Sequence, residues 1–340
     1  MAHRTVTMTR PTTVRTSAPV RLDFAGGWTD VAPFAVEARG VVVNAAIALR
    51  TRVELRLEQQ RYELWSEDLD ERADAPTAAA FRADGRLGIL KAAVRTSGIG
   101  PCSIRTAAQA PPGSGLGSSG ALGVALVHAL GVAQGHDRSR GEVAEEAWRL
   151  ETVDAGVPGG KQDQYAAANG GFQQLRFAKG NTTAHPLKIN PGFADDLARH
   201  IVLCYTGKSR FSGDTISRVM TAYSKRDPAI VGALHAMADL AEEMALALGA
   251  ADTARVARLL TANWHEQQRL DRSMCTDEMR RLEAAMLDAG ALGWKAAGAG
   301  AGGSMFFLVP GDVTAAIVAA RQSGTQVLPV RWDLRGLGQD

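Results

Sequence analysis

Between positions 111 and 120 the chain reads Pro-Pro-Gly-Ser-Gly-Leu-Gly-Ser-Ser-Gly, a composition suited to binding phosphate. Glycines at 113, 115 and 117 lack a Cβ atom, so the backbone can approach a ligand closely and adopt positive φ. The apolar run 121–130 predicts a buried helix directly afterwards. The free amide groups and the dipole at the N-terminus of that helix favour an anion. A phosphate cradle is therefore predicted, the alternative being an ordinary glycine-rich turn before a buried helix.

Other nucleotide-binding patterns fit the sequence poorly. The pattern G-x-G-x-x-G occurs from Gly115 and again from Gly298. Two prolines and a glycine separate the first from its strand, and the second precedes a predicted strand rather than a helix. Residues 207–209 resemble the end of a Walker A loop, but Val202 stands where its first glycine belongs. An NAD-binding oxidoreductase is therefore the weakest interpretation.

The elements that must position the loop alternate between strands and helices, which predicts an α+β protein. The predicted strands cover residues 41–47, 52–57, 102–106, 200–205, 305–309 and 326–330. The predicted helices cover residues 88–94, 121–130, 142–152 and 313–321, and three more begin near Asp227, Asp252 and Thr276. A composition shift near residue 195 predicts two lobes, 16–195 and 196–340, after a flexible arm of residues 1–15.

Composition limits the partners and the compartment. The 38 Lys and Arg residues balance 36 Asp and Glu residues, so the net charge is +2, which argues against nucleic acid or a membrane surface as partner. The three cysteines form no CxxC pair, which argues against a disulfide framework or a zinc site. No apolar run approaches the roughly 18 residues of a membrane span. We expect a cytoplasmic protein and leave monomer or homodimer open.

Three segments resemble the signatures of the GHMP kinases and follow that family's order. Residues 111–121 resemble its ATP-binding signature, 18–30 (APVRLDFAGGWTD) the sugar-binding motif of its sugar-kinase branch, and 295–304 (KAAGAGAGGS) its C-terminal glycine-rich motif. The resemblance implies a two-lobed GHMP kinase fold, with an N-terminal ATP-binding lobe and a ferredoxin-like C-terminal lobe. The implied ATP-binding residues are Pro112, Gly113, Ser114, Gly115, Leu116, Gly117, Ser118 and Ser119, and the packing glycines are Gly298, Gly300, Gly302 and Gly303.

The resemblance also assigns catalytic and metal-binding roles. Residues 159–165 (GGKQDQY) are similar to the family segment with the catalytic aspartate, which would be Asp163, and Arg21 would hold that carboxylate ionised. Glu151 and Ser119 would bind Mg²⁺, which needs few protein oxygens beside phosphates and water. Without the family, Asp163 could equally cap a helix, and Glu151 would be a solvated carboxylate at a helix end.

The substrate-binding residues implied by the resemblance lie in three segments. They are Gly26, Gly27, Trp28, Thr29 and Asp30, then Gly160, Lys161 and Gln162, then Lys208 and Arg210. Asp30 would bind sugar hydroxyls, and Trp28 would either stack on the sugar or lie in the core. Lys208 and Arg210 would hold a substrate phosphate or form a basic surface loop. Of the seven lysines, only Lys161 and Lys208 are expected at the site.

The substrate expected from these motifs is a sugar phosphate. GGWTD and GGKQDQYAAANGG look closest to the branch that phosphorylates the anomeric hydroxyl of D-glycero-D-manno-heptose 7-phosphate. An octose 8-phosphate or another high-carbon sugar phosphate fits the same logic, and the tryptophan is also like the L-fucose kinase branch. Gly27 and Trp28 count against galactose, and GGWTD against a mevalonate-type alcohol. A catalytically silent sensor of sugar and ATP is the alternative from another class.

Overall fold

The computed structural model describes residues 12–207 and 213–339. Within them the strands are β1 (Thr13–Ala25), β2 (Gly40–Arg56), β3 (Tyr62–Ser66), β4 (Glu71–Ala75), β5 (Ser103–Ala108), β6 (Phe172–Ala178), β7 (Asn181–Pro186), β8 (Ile201–Tyr205), β9 (Gly293–Ala296), β10 (Ser304–Leu308), β11 (Gln326–Leu328) and β12 (Gly338–Gln339). The helices are α1 (Phe34–Glu37), α2 (Gly88–Thr96), α3 (Ser118–Gln134), α4 (Arg140–Arg149), α5 (Gln162–Asn169), α6 (Pro191–His200), α7 (Gly213–Ser224), α8 (Pro228–Gly249), α9 (Thr253–Leu270), α10 (Asp277–Asp288) and α11 (Thr314–Gln322).

The long strands β1 and β2 organise the larger sheet. Its order is β12-β1-β2-β5-β3-β4, with β6 on β2 and β7 on β6. The first part of β2 pairs with β6 and its last part pairs with β5. Predicting two strands at 41–47 and 52–57 was wrong, because an irregularity at residues 48–49 shifts the register with β1 without ending β2.

Helix α3 lies against β1 and β2 and carries apolar residues on all sides, as a buried helix should. The predicted helix at 121–130 is therefore confirmed, and it extends to Ser118, where the glycine loop ends. Helix α4 begins at a capping box made by Ser139 and Glu142. It is followed by a π-helix, Leu150–Asp154, so the predicted helix at 142–152 changes its winding at its end.

The smaller sheet has the order β11-β8-β10-β9, and all its pairs are antiparallel. Helices α7 to α10 connect β8 to β9, and α11 connects β10 to β11. This is the ferredoxin-like arrangement, in which the first strand lies between the third and the fourth. Asp227, Asp252 and Thr276 cap α8, α9 and α10, which confirms the three predicted helix starts.

Both ends of the described chain join the larger sheet. β1 begins at Thr13, so the last residues of the predicted arm 1–15 are paired with β2. β12 pairs with β1, so the chain leaves the smaller sheet and returns to the larger one. Trp332, on the way, packs 4.6 Å from the ring of Phe172. The division at 195/196 stays a prediction, and this return was not anticipated. No helix within residues 12–207 and 213–339 combines the length and apolar character needed to cross a bilayer.

Candidate active site

The glycine loop ends at a helix that has no side-chain cap. Gly117, the N-cap residue of α3, has φ +82°, and Gly113 and Gly115 also have positive φ. The hydroxyl oxygens of Ser114 and Ser118 are buried and find no hydrogen-bond partner within the described residues. Uncapped amide groups beside unpaired hydroxyls are the donors that a bound anion uses. The start of α3 therefore offers donors suited to a phosphate group, while Leu116 is fully buried and is not exposed to a ligand.

Asp163 lies directly against this loop, in the first turn of α5. A Cβ atom on Gly117 would lie 3.0 Å from Asp163 Cγ, and one on Gly120 would lie 2.5 Å from Asp163 Cβ. These two glycines therefore let the start of α5 approach the start of α3. The Asp163 side chain keeps 24% of its surface exposed, so its carboxylate can meet a ligand.

Arg21, on β1, joins Asp163 to two glycine loops. Its Nε donates to Asp163 Oδ1 at 2.8 Å, and its Nη1 donates to the carbonyls of Gly115 and Ala297, both at 2.8 Å. Only 6% of the side chain is exposed. Positive charge fixed between a carboxylate and a phosphate loop is what phosphoryl transfer requires.

The C-terminal glycine loop packs on the phosphate loop. A Cβ atom on Gly298 would collide with the carbonyl of Gly115, and one on Gly303 would lie 2.9 Å from the carbonyl of Ser114. Gly300 meets Met274 instead, again too closely for a side chain. Gly298 and Gly303 thus lie where the backbones of the two loops touch.

Glu151 is buried in the π-helix, with 7% of its surface exposed. Gln164 Nε2 donates to its Oε2 at 2.7 Å. Burial raises the pKa of Glu151 to about 7, against a lowering by its hydrogen bonds with Ser119 and Gln164 and a further rise from the charge of Asp163. A buried carboxylate touching a phosphate-loop hydroxyl fits a magnesium ion. No cluster of three or more His, Cys, Asp or Glu ligands occurs in the described parts, so phosphates and water would complete the coordination.

The turn 26–30 is held from inside by Thr29. Its hydroxyl donates to the carbonyl of Gly26 at 2.7 Å and accepts from Val41 N at 3.0 Å, fully buried. The hydroxyl of Thr29 is thus engaged within the turn, and its expected contact with substrate finds no support in these hydrogen bonds and stays a prediction. Trp28 has φ +82° and packs with the core residues Val31 and Phe34, so it takes the core alternative.

Asp30 lies beneath the segment that leads into α5. Its Oδ2 accepts from Gln162 N at 3.0 Å, and a Cβ atom on Gly160 would collide with the same oxygen. The pKa of Asp30 is raised to about 6; burial is the main cause, the charges of Asp163 and Asp23 contribute, and hydrogen bonding from the Gln162 backbone opposes the rise. Asp30, Gly160 and Gln162 thus come together within electrostatic reach of Asp163.

Comparison with known proteins identifies this arrangement. Residues 86–171 match the family model "GHMP kinases N terminal domain", and residues 240–325 match "GHMP kinases C terminal". The D-glycero-alpha-D-manno-heptose 7-phosphate kinase of Campylobacter jejuni is 32% identical, over 87% of this chain and 89% of that protein. The chain belongs to the GHMP kinase family. This confirms the predicted family, the α+β fold and an ATP-dependent kinase of the sugar type.

Other relatives of this GHMP kinase agree. A bifunctional fucokinase/GDP-fucose pyrophosphorylase of Arabidopsis thaliana is 26% identical over 88% of the chain, which spans 30% of that longer protein. The crystal structure of a D-glycero-D-manno-heptose 1-phosphate kinase from Bacteroides thetaiotaomicron superposes with a TM-score of 0.77 at 26% identity, covering 96% of this chain and 98% of that one. A Lactococcus lactis galactokinase shares the fold, with a TM-score of 0.75 at 20% identity.

Two lysines of this GHMP kinase that the structure describes, Lys161 and Lys295, differ from what the sequence led us to expect. Lys161 Nζ is 2.7 Å from Glu145 and 4.5 Å from the centre of the Trp148 ring, so its expected contact with substrate finds no support. Lys208 and Arg210 lie outside the described residues. Lys295, which the sequence analysis passed over, is fully buried and binds Asp23. Its position directly before the C-terminal glycine loop was the available signal.

Proposed function

We propose that this GHMP kinase transfers the γ-phosphoryl group of ATP to the anomeric hydroxyl of D-glycero-D-manno-heptose 7-phosphate, which gives the 1,7-bisphosphate. The observation that carries the proposal is the Arg21 guanidinium, which joins Asp163 on the acceptor side to the phosphate loop. The heptose 7-phosphate kinase of C. jejuni, 32% identical, supports the choice of sugar.

In this proposal each part of the site has one task. Asp163 accepts or orients the proton of the attacking hydroxyl, and Arg21 stabilises charge as the phosphoryl group moves. The amide groups at the start of α3 and the free hydroxyls of Ser114 and Ser118 hold the phosphates. Asp30 binds sugar hydroxyls, since it is an acceptor fixed against α5.

Glu151 and Ser119 would hold Mg²⁺, and Gln164 orients the carboxylate through its 2.7 Å hydrogen bond. When bound, the ion supplies positive charge that offsets the charge of the triphosphate. One carboxylate and one hydroxyl suffice, because Mg²⁺ retains water and phosphate ligands.

An L-fucose 1-kinase is the second candidate, favoured by the fucokinase relatives. An octose 8-phosphate kinase stays a further alternative, because the sequence does not separate seven-carbon from eight-carbon sugars. Binding of a substrate phosphate by Lys208 and Arg210 stays a prediction. We also propose a cytoplasmic location, which agrees with the need for ATP and with three buried cysteines that form no disulfide within the described chain.

The deciding experiment measures ADP release with heptose 7-phosphate, an octose 8-phosphate, L-fucose and galactose, with Mg²⁺ and with EDTA. We expect the highest kcat/KM with heptose 7-phosphate, no turnover in EDTA, and a product whose phosphorus couples to the anomeric proton in NMR spectra. A preference for L-fucose would favour the second candidate. Absence of ADP with every sugar would overturn the proposal and favour the sensor.

A further inference from the structure

Lys295 and Asp23 form a buried ion pair between the two strands that lead into the active site. Lys295 Nζ lies 2.8 Å from Asp23 Oδ2 and also donates to the carbonyls of Asp23 and Ala296, at 2.7 and 3.0 Å. The lysine side chain is 0% exposed and the aspartate 2%. Lys295 belongs to β9 and Asp23 to β1, so the pair joins the two sheets.

The ion pair is one of two parallel links between the same segments. Arg21 and Asp23 are two residues apart on β1 and so share one face of the strand. Their partners, Ala297 and Lys295, are also two residues apart, and each link measures 2.8 Å. A shift of one segment along the other would therefore change both links together. Through Arg21 that shift would reach Asp163 and the phosphate loop.

Asp23 also lies under the sugar-binding turn. A Cβ atom on Gly27 would collide with Asp23 Oδ2, so the carboxylate fills the space of a side chain at position 27. Asp23 faces Asn44 across β1 and β2, and Asn44 Nδ2 lies 3.4 Å from the carbonyl of Gln162. The ion pair therefore lies directly beneath the turn, and Asn44, opposite Asp23 on β2, lies beneath the start of α5.

Stability by itself does not explain why this contact is a buried ion pair. Asp23 Oδ1 is buried with no hydrogen-bond partner among the described residues, and burial lowers the pKa of Lys295. Two apolar side chains of similar volume commonly stabilise a core at least as well as a buried ion pair. A buried pair at such a place is best explained by the relative position of the two strands that it fixes.

We infer that Lys295 is a positioning residue: through Asp23 it fixes the position of β9 relative to β1, and thereby holds Arg21 on Asp163. The inference rests on the roles proposed above for Arg21 and Asp163. It adds that the smaller sheet takes part in setting the geometry of transfer. Loss of the pair should therefore lower kcat in protein that is still folded, with little effect on the KM for ATP.

The test compares Lys295→Met with Asp23→Asn/Lys295→Met and with Lys91→Met. Lys91 is the matched control, because it pairs with Asp84 on the surface at 3.4 Å. We expect Lys295→Met to lower kcat about 100-fold, the order expected for a misplacement of about 1 Å, and to lower Tm. The double variant, which has no unpaired buried charge, should recover Tm while kcat stays low. Lys91→Met should keep both values.

A purely structural role predicts a different result. In that case the double variant would recover Tm and kcat together, which would overturn the inference. The inference would also be overturned if Lys295→Met folds and its kcat lies within threefold of the parent value. If Lys295→Met is insoluble, the double variant alone decides between the two roles. Asp163→Asn serves as reference: full activity in that variant would reject the proposed function, whereas an inactive Asp163→Asn with a fully active Lys295→Met rejects only this inference.

Discussion

The two halves of the proposed active site are built in opposite ways. The phosphate side is a continuous segment, 112–119, whose backbone amide groups and hydroxyls lie at the start of one helix. The acceptor side draws Arg21, Asp30 and Asp163 from separate segments, and its donors and acceptors are side chains. Backbone groups bind a common group such as phosphate, whereas assembled side chains can distinguish one sugar from another. Substitutions can test this contrast.

Asp163→Asn should have the largest effect, because it removes the proton acceptor and keeps the size of the side chain. We expect kcat to fall about 1000-fold, within the range of general base catalysis, with ATP binding nearly unchanged. Steady-state ADP release and calorimetric titration with ATP measure the two quantities. Asp277→Asn, at an exposed carboxylate of α10, is the control and should keep the parent kcat. A parent-like kcat in Asp163→Asn would remove this residue from the chemistry.

Gly120→Ala should damage both halves at once. Its Cβ atom would lie 2.5 Å from Asp163 Cβ, so the start of α5 must move away from the start of α3. A displacement of this kind should lower kcat roughly 100-fold. Gly232→Ala, whose Cβ meets nothing within 4 Å, should instead stabilise α8 slightly. Equal behaviour of the two variants would show that contact between the halves is unimportant.

Asp30→Asn should weaken sugar binding and stabilise the fold, which separates the acceptor side from the phosphate side. A hydrogen bond from a sugar hydroxyl to a charged carboxylate contributes about 2 kcal/mol to binding. Its loss should raise the KM for sugar roughly 30-fold and leave the KM for ATP unchanged. ADP-release kinetics with each substrate varied in turn measure this. A parallel rise in both KM values would contradict the separation.

The stability effect of the same variant should depend on pH. Burial raises the pKa of Asp30 from 3.8 to about 6, so the folded protein binds this proton more tightly than the unfolded chain. Below pH 4 the carboxyl group is protonated in both states and does not destabilise the fold. Its ionisation destabilises the fold increasingly between pH 4 and pH 6, and the effect is constant at higher pH. Above pH 6 the free energy of unfolding of Asp30→Asn should exceed that of the parent by up to about 3 kcal/mol. This difference should shrink towards pH 4. Urea unfolding at pH 4.5 and pH 8 measures the difference.

Lys161→Met should have the smallest effect. Its ammonium group is engaged by Glu145 and Trp148, so we expect the KM for a sugar phosphate to change less than about threefold. Stability should fall by at most about 1 kcal/mol. A tenfold rise in KM would mean that Lys161 turns towards the substrate phosphate. Such a result would restore the role expected from the sequence.

Much of the fold was predictable, because its signals are local. The caps at Asp227, Asp252 and Thr276 and the apolar run of α3 fixed four helices before any contact was known. The break within β2 was misjudged, since a register irregularity with β1 leaves no distinct signature in one strand. The return of β12 to β1 was missed for a related reason, because a two-residue strand has no periodicity to detect.

The candidate site divides in the same way. The phosphate loop could be predicted because glycine spacing, paired serines and a following helix occupy one segment. Local backbone geometry is sufficient to form an anion site. Family resemblance pointed to Asp163, Arg21 and Asp30. It could not tell which polar side chains already had partners, so Thr29 and Lys161 were expected at the substrate.

The amino-acid sequence by itself determined the family, the phosphate loop and the helix starts, since backbone conformation and capping depend on neighbours in the chain. Only the tertiary structure decided which side chains are free. It engaged Thr29 with Val41, turned Lys161 to Glu145 and buried Lys295 against Asp23, 272 residues away in sequence. The physical reason is that burial and pairing depend on long-range contacts, which set the charge and the reach of a group but leave no local pattern.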